Sequence, residues 1–323
     1  MNLVSIHGRA LQQDTDTGRL YHNGSPIGNP IEGARLHKPR YVHAGNGQSG
    51  VTGYSINTPI STLQAAIDLA DGASEDDEDS LIVIMPGHAE TITGAGGITC
   101  DVSGMHIIGM GHYNDRPAFL MDGATTVTGL ITAADVYLEN LVFNSGHADV
   151  VAGIGVTAVG AWFDKCVWGD NTTNENFLSP IKGTGTTNNE ADGLKVTNCL
   201  WSSVDSGGLE FIELNADVAD FVLHDTEMHG DSATSCRAVL SATGKDLQRC
   251  SILRNVLTTA ATSGAIFISN DTSANSGVVA YNLIGHHDTA GEAVGPLAGA
   301  RWFENRASAA DDATGYVLPA VDS

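Results

Sequence analysis

Apolar and polar residues alternate in a short phrase that returns along most of the chain. It reads Val136-Tyr-Leu-Glu-Asn140-Leu-Val-Phe143, then Ala161-Trp-Phe-Asp-Lys165-Cys-Val-Trp168, then Leu194-Lys-Val-Thr-Asn198-Cys-Leu-Trp201. Weaker copies are Phe221-Val-Leu-His-Asp225-Thr-Glu-Met228, Val278-Val-Ala-Tyr-Asn282-Leu-Ile284 and Ala300-Arg-Trp-Phe-Glu-Asn305, and Met105-His-Ile-Ile-Gly109-Met110 precedes them all. Period-two alternation marks a strand with one buried face. With markers at 109, 140, 165, 198, 225, 255, 282 and 305, the steps are 31, 25, 33, 27, 30, 27 and 23 residues. Strand units returning at such a variable period stack as the turns of a solenoid. The phrase predicts an all-β fold, a single-stranded right-handed parallel β-helix of about 8–9 coils, roughly 40 Å long at about 4.8 Å per coil. Its inward positions form two ladders: Leu138, Phe163, Val196 and Leu223 before the marker, Phe143, Trp168, Trp201 and Met228 after it.

Other patterns divide the chain. Residues 1–45 lie outside the repeat, carry turn signals and hold five of the 15 basic residues: Arg9, Arg19, Arg35, Lys38 and Arg40. They read as an extended N-terminal arm with little core of its own, suited to docking on an acidic partner surface. Residues 46–80 contain Ser61-Thr-Leu-Gln64, an S-x-x-Q capping box, followed by Leu63, Ala66, Ile67 and Ala70 at the spacing of one helical face. This predicts a capping helix over the open end of the first coil, followed by the acidic loop Glu75-Asp-Asp-Glu-Asp79. That loop lacks the spacing and glycine of a calcium-binding EF-hand, which favours a solvated turn. Residues 81–310 carry the parallel β-helix, beginning at Leu81-Ile-Val-Ile-Met85, and residues 311–323 form a C-terminal tail.

Composition narrows the function classes. The 38 glycines suit many tight corners between short strands. A formal charge of −23 repels nucleic acid and anionic membranes. No apolar run reaches the roughly 20 residues that span a bilayer, and the start has no secretory pattern, so the expected product is soluble and made in a cytoplasm. The cysteines at 100, 166, 199, 236 and 250 have no metal-binding spacing. Cys166 and Cys199 fall on adjacent coils within conceivable reach of a disulfide, though buried free thiols fit a cytoplasmic product better.

Candidate chemistry is sparse. Carboxylate pairs that a glycosidase would need are Glu139 with Asp164, Asp225 with Glu227, and Glu210 with Glu213. Each fits a surface strand position equally well, and structural acid is the favoured reading. The cations between 118 and 300, Lys165, Lys182, Lys195, Arg237, Lys245, Arg249 and Arg254, show no acidic constellation beside them of the kind a lyase uses. His88 and Glu90 share a face if extended but make only two ligands, and His286 and His287 point to opposite faces. No catalytic residue, cofactor site or metal site is assigned.

Several stretches carry a family resemblance. Val83-Ile-Met-Pro-Gly-His-Ala-Glu-Thr-Ile-Thr93, Asp101-Val-Ser-Gly-Met-His-Ile-Ile-Gly109, Asn114-Asp-Arg-Pro117 and Gly315-Tyr-Val-Leu-Pro-Ala-Val-Asp322 are similar to a family of tailed-bacteriophage virion proteins with right-handed parallel β-helix folds. The likeness spans residues 41–323, and the fold also resembles phage tailspikes and pectate lyases. It implies a non-enzymatic virion structural protein, foremost a capsid decoration or cement protein, assembled in the host cytoplasm. The expected partners are the major capsid protein or other virion proteins, through the arm. Further copies of the chain, three side by side, are expected through an outward apolar row that includes Val142 and Val167. The alternative is a tailspike or tail-fibre-like host-recognition protein, glycan-binding or depolymerising, with an aromatic and carboxylate groove on the long face. A free bacterial polysaccharide lyase is disfavoured by the missing export signal.

Overall fold

The computed structural model describes residues 39–71, 81–184, 190–204, 208–230, 236–242, 244–259, 266–269, 274–285 and 299–308, with short strands at 2–6, 9–13, 20–22, 25–26 and 316–317. From Arg40 onwards the strands wind into a parallel β-solenoid with three long sheets. Sheet I has ten strands, from Arg40–Val42 to Ala300–Phe303. Sheet II also has ten, beginning at Ala89–Ile92, and sheet III has seven, from Ala95–Cys100 to Ile266–Ser269. Within each sheet, strands pair in parallel with those one turn away, as Tyr137–Glu139 does with Trp162–Asp164. Among the described residues seven turns supply a strand to all three sheets, slightly fewer complete coils than the phrase predicts. The coil ends where Tyr316–Val317 pairs antiparallel with Arg306–Ser308.

The expected inward ladders form as read. Leu138, Phe163, Val196 and Leu223 pair in register on sheet I, and Phe143, Trp168, Trp201 and Met228 on sheet II. All eight are buried in one continuous core. Phe119, Phe143 and Trp168 stack face to face at 5.6 Å centroid spacing, wider than the about 4.8 Å strand spacing because the rings tilt and slide. The indole Nε1 atoms of Trp168 and Trp201 are buried with no hydrogen-bond partner among the described residues, so here ring area outweighs a lost donor.

The corner after sheet I corrects the marker register. In the seven turns from Tyr137–Glu139 onwards one residue takes a left-handed conformation there: Asn140, Lys165, Asn198, Asp225, Arg254, Tyr281 and Glu304, all with φ between 51° and 59°. The next residue points inward and is buried: Leu141, Cys166, Cys199, Thr226, Asn255, Asn282 and Asn305. The markers at 255, 282 and 305 are therefore one residue past the corner. Asn140 does serve its corner, donating from Nδ2 to the carbonyls of Gly109 at 2.7 Å and Gly111 at 3.0 Å. Asn282 instead belongs to a buried ladder. Its Oδ1 accepts from the Asn255 N–H and amide side chain, and its Nδ2 donates to the Ile252 carbonyl and the Asn305 Oδ1.

At the N-terminal end the helix Leu63–Asp71 forms where expected and buries Leu63, Ala66, Ile67 and Ala70 over the first coil. Its cap differs from the S-x-x-Q reading. Thr62 Oγ1 accepts from the Ala65 N–H, and the Glu90 carboxylate accepts from the Leu63 N–H at 2.9 Å. Gln64 reaches sideways, its Oε1 accepting from the Thr99 N–H. The strand Arg40–Val42 pairs with Leu81–Ile84 and is buried, so the solenoid begins before position 45. Arg40 locks that edge, donating to the Thr52 and Leu69 carbonyls. Within the expected arm, Asn2–Ile6, Arg9–Gln13, Leu20–His22 and Ser25–Pro26 fold back on one another as an antiparallel meander rather than running extended.

Candidate functional site

Two carboxylate clusters form where register brings neighbouring turns together. On sheet I, Glu139 and Asp164 pair directly across adjacent strands. Lys165 Nζ lies 2.6 Å from Glu139 and 3.1 Å from Asp164. Asp164 is almost fully buried and accepts from Thr197 Oγ1 at 2.7 Å and Asn198 Nδ2 at 2.8 Å, with Tyr137 OH at 3.5 Å. Burial resists its charge, but the hydrogen bonds from Asn198, Thr197 and Lys165 outweigh that and hold its carboxyl below the usual range. Burial, with the neighbouring Glu139 and Asp164, pushes the Tyr137 phenol far up. A carboxylate this fully engaged has no lone pair free for proton transfer, so the pair reads as a structural brace.

Beside it runs an outward row of His106, Tyr137, Trp162 and Lys195, in register along sheet I. This is the aromatic and carboxylate face that a glycan-binding reading expects. Its rings, however, are already occupied. Tyr137 lies 4.7 Å from one side of Trp162, and Lys195 sits over the indole at 5.4 Å. The Trp162 Nε1–H is held by Thr197 Oγ1 at 2.9 Å. A sugar needs an open aromatic face, and in this ladder Tyr137 tilts against Trp162 while Lys195 lies over the indole.

The second cluster lies at sheet III. Ser179 Oγ is 3.2 Å from Glu210 Oε1 and 2.9 Å from Glu213 Oε2, so the two oxygens lie within 6.1 Å of each other. Lys182 Nζ pairs with Glu213 at 2.7 Å, and Arg237 Nη1 with Glu210 at 3.4 Å. Burial, then repulsion from Glu213, raises the Glu210 carboxyl above its ordinary value. The Arg237 charge, the Ser179 hydrogen bond and the Lys182 charge pull the other way without overcoming it. One hydroxyl has one proton, so Ser179 donates to one of the two carboxylates at a time. An acid raised by burial and by a neighbouring carboxylate is an arrangement capable of general acid–base work.

The remaining candidates disperse. Asp225 sits at a corner in a two-point ion pair with Arg254, both contacts at 2.7 Å, while Glu227 is exposed near His229. His88 and Glu90 do share a face, but it is the interior one. His88 Nδ1 accepts from the Ala44 N–H, which leaves Nε2–H to donate to Glu90 at 3.1 Å. That chain ends at the helix N-terminus, which favours a carboxylate there. Cys166 and Cys199 are free and buried, and burial pushes the Cys166 thiol up to about 12. The acidic tract 75–79 and His286 and His287 lie outside the described residues. Among the described residues no three His, Cys, Asp or Glu side chains group to hold a metal ion, and no helix is long and apolar enough to cross a membrane.

Sequence reasoning missed the partners that complete the sheet III cluster. Lys182 and Arg237 do stand beside acids, because register sets Lys182 opposite Glu213 and Arg237 opposite Glu210. The available signal was spacing. Those pairs are 31 and 27 residues apart, each equal to a step of the repeat. No protein-family model, curated protein or solved structure matches the chain.

Proposed function

We propose that the chain is a non-enzymatic structural protein of a tailed-phage virion, a rigid prism that decorates the particle and docks through its N-terminal segment. The observation behind this reading is the saturation of its ladders. The Asp164 brace, the Tyr137–Trp162–Lys195 contacts and the buried Asn255–Asn282–Asn305 chain occupy groups that a binding or catalytic surface would leave open. Fully satisfied polar networks rigidify a fold. The virion setting is the expectation carried by the resemblance of residues 83–93, 101–109, 114–117 and 315–322. Antibody labelling of particles, read by electron microscopy, is expected to place the chain on the capsid surface. The docking segment is tested by deleting residues 1–38, because Arg40 belongs to the solenoid. Particle binding undiminished by that deletion overturns the docking role.

A second reading, glycan cleavage by a host-recognition protein, is favoured by the Glu210–Ser179–Glu213 chain alone. Its carboxylates lie close enough for the retaining geometry, in which they stand about 5–5.5 Å apart. Incubation with host capsular polysaccharide and assay of new reducing ends tests it. Release that disappears in Glu210→Gln favours cleavage, and no release from the wild type removes this reading.

A further inference from the structure

The outward face of sheet II differs from the rest of the surface. In four successive turns its outward positions are Ala118 and Leu120, Val142 and Asn144, Val167 and Gly169, then Leu200 and Ser202. None of the eight is charged, and all are half-buried on the chain alone. The same turns on sheet I expose Glu139 and Lys195, and sheet III there bears the Lys182–Glu213 pair. In a chain of formal charge −23 a neutral stripe of this length is the one kind of surface on which a like-charged copy approaches without strong repulsion. A cationic partner would gain more on the acidic faces.

Shape points the same way. Val142 and Val167 also line a shallow recess of about 550 Å³, together with Arg116 and Asn140. On its rim stands Tyr113, 88% exposed and held in a left-handed conformation at φ 51°. A protruding ring beside a hollow on one surface is what a self-complementary contact requires.

We propose that copies of this chain pack side by side through the sheet II face, with Tyr113 of each copy seated in the recess beside Val142 and Val167 of another. The contact stands independently of any virion role, because it concerns the pure chain. Sedimentation velocity of the full-length protein over a concentration series tests it. The wild type is expected to run as a dimer or trimer. Tyr113→Ser, at a ring whose described contact is with the exposed His112, is expected to raise the dissociation constant at least tenfold with little change in Tm. Val167→Glu, whose folding is checked by circular dichroism, is expected to give monomer. Val222→Glu, on the outward side of sheet I, is the control and keeps the wild-type mass. A wild type that stays monomeric at every concentration overturns the proposal, as does either Tyr113→Ser or folded Val167→Glu associating like the wild type.

Discussion

The carboxylate clusters on sheets I and III arise from one rule, register between neighbouring turns, and behave in opposite ways. Asp164 meets three hydrogen-bond donors and an ammonium group, so its charge is held. Glu210 meets one shared hydroxyl, a guanidinium at 3.4 Å and a second carboxylate, so its charge is opposed. Burial is similar, with both residues 6% exposed. The contrast teaches that on a solenoid the donors supplied by the adjacent turn decide whether the cost of burying an acid is offset, as at Asp164, or stands, as at Glu210.

The largest expected effect that would break this comparison comes from Asp164→Ala. It strands Thr197, Asn198 and Lys165, and urea denaturation is expected to show a loss of about 2–3 kcal/mol, in the range for hydrogen bonds to a charged group. A loss below 0.5 kcal/mol, roughly the scatter of an ordinary surface change, would remove the brace.

The next effect is in pH dependence. The Asp164 carboxyl is depressed on folding, so its stabilisation is full above the ordinary value of 3.8 and is lost as pH falls through the folded value. Glu210 is raised, so its stabilisation is full below 4.5 and is lost as pH rises through its folded value. Glu210→Gln is therefore expected to gain on the wild type in Tm as pH rises, and Asp164→Asn to fall further behind over the acid range as pH rises. Parallel Tm–pH curves for the two variants would show that the clusters do not differ.

Smallest is Lys165→Met. The ammonium side chain is 55% exposed, and its pairing is expected to be worth at most about 0.5 kcal/mol against solvent and salt. A larger loss would shift the brace from the hydrogen bonds to the ion pair.

Much of the fold was legible because buried area follows the alternation. The ladders through Leu138 and Phe143 could be read in the sequence, and so could the helix face of Leu63, Ala66, Ile67 and Ala70. The sites were less legible. Glu210 and Glu213 were visible as a pair, but Ser179 sits 31 residues before Glu210 and carries no motif of its own. Tyr113 and its recess were invisible, because a corner loop has no periodicity to betray which way it leans.

The chain's own pattern determined that it would coil, how long each coil would be and which apolar residues would stack inside. Those features depend on summed apolar area, which a period-two phrase encodes directly. Tertiary structure decided the register at the corner. Asparagine tolerates the left-handed conformation better than most residues, yet Asn282 and Asn305 each sit one step past a corner. In the folded coil Tyr281 and Glu304 take that conformation instead, at a cost of roughly 1–2 kcal/mol each. The asparagines one step on gain a buried ladder in which each amide bonds backbone and neighbour together. Only when the turns stack do those partners exist, so a one-residue shift that turns a corner into a core was beyond the reach of the sequence alone.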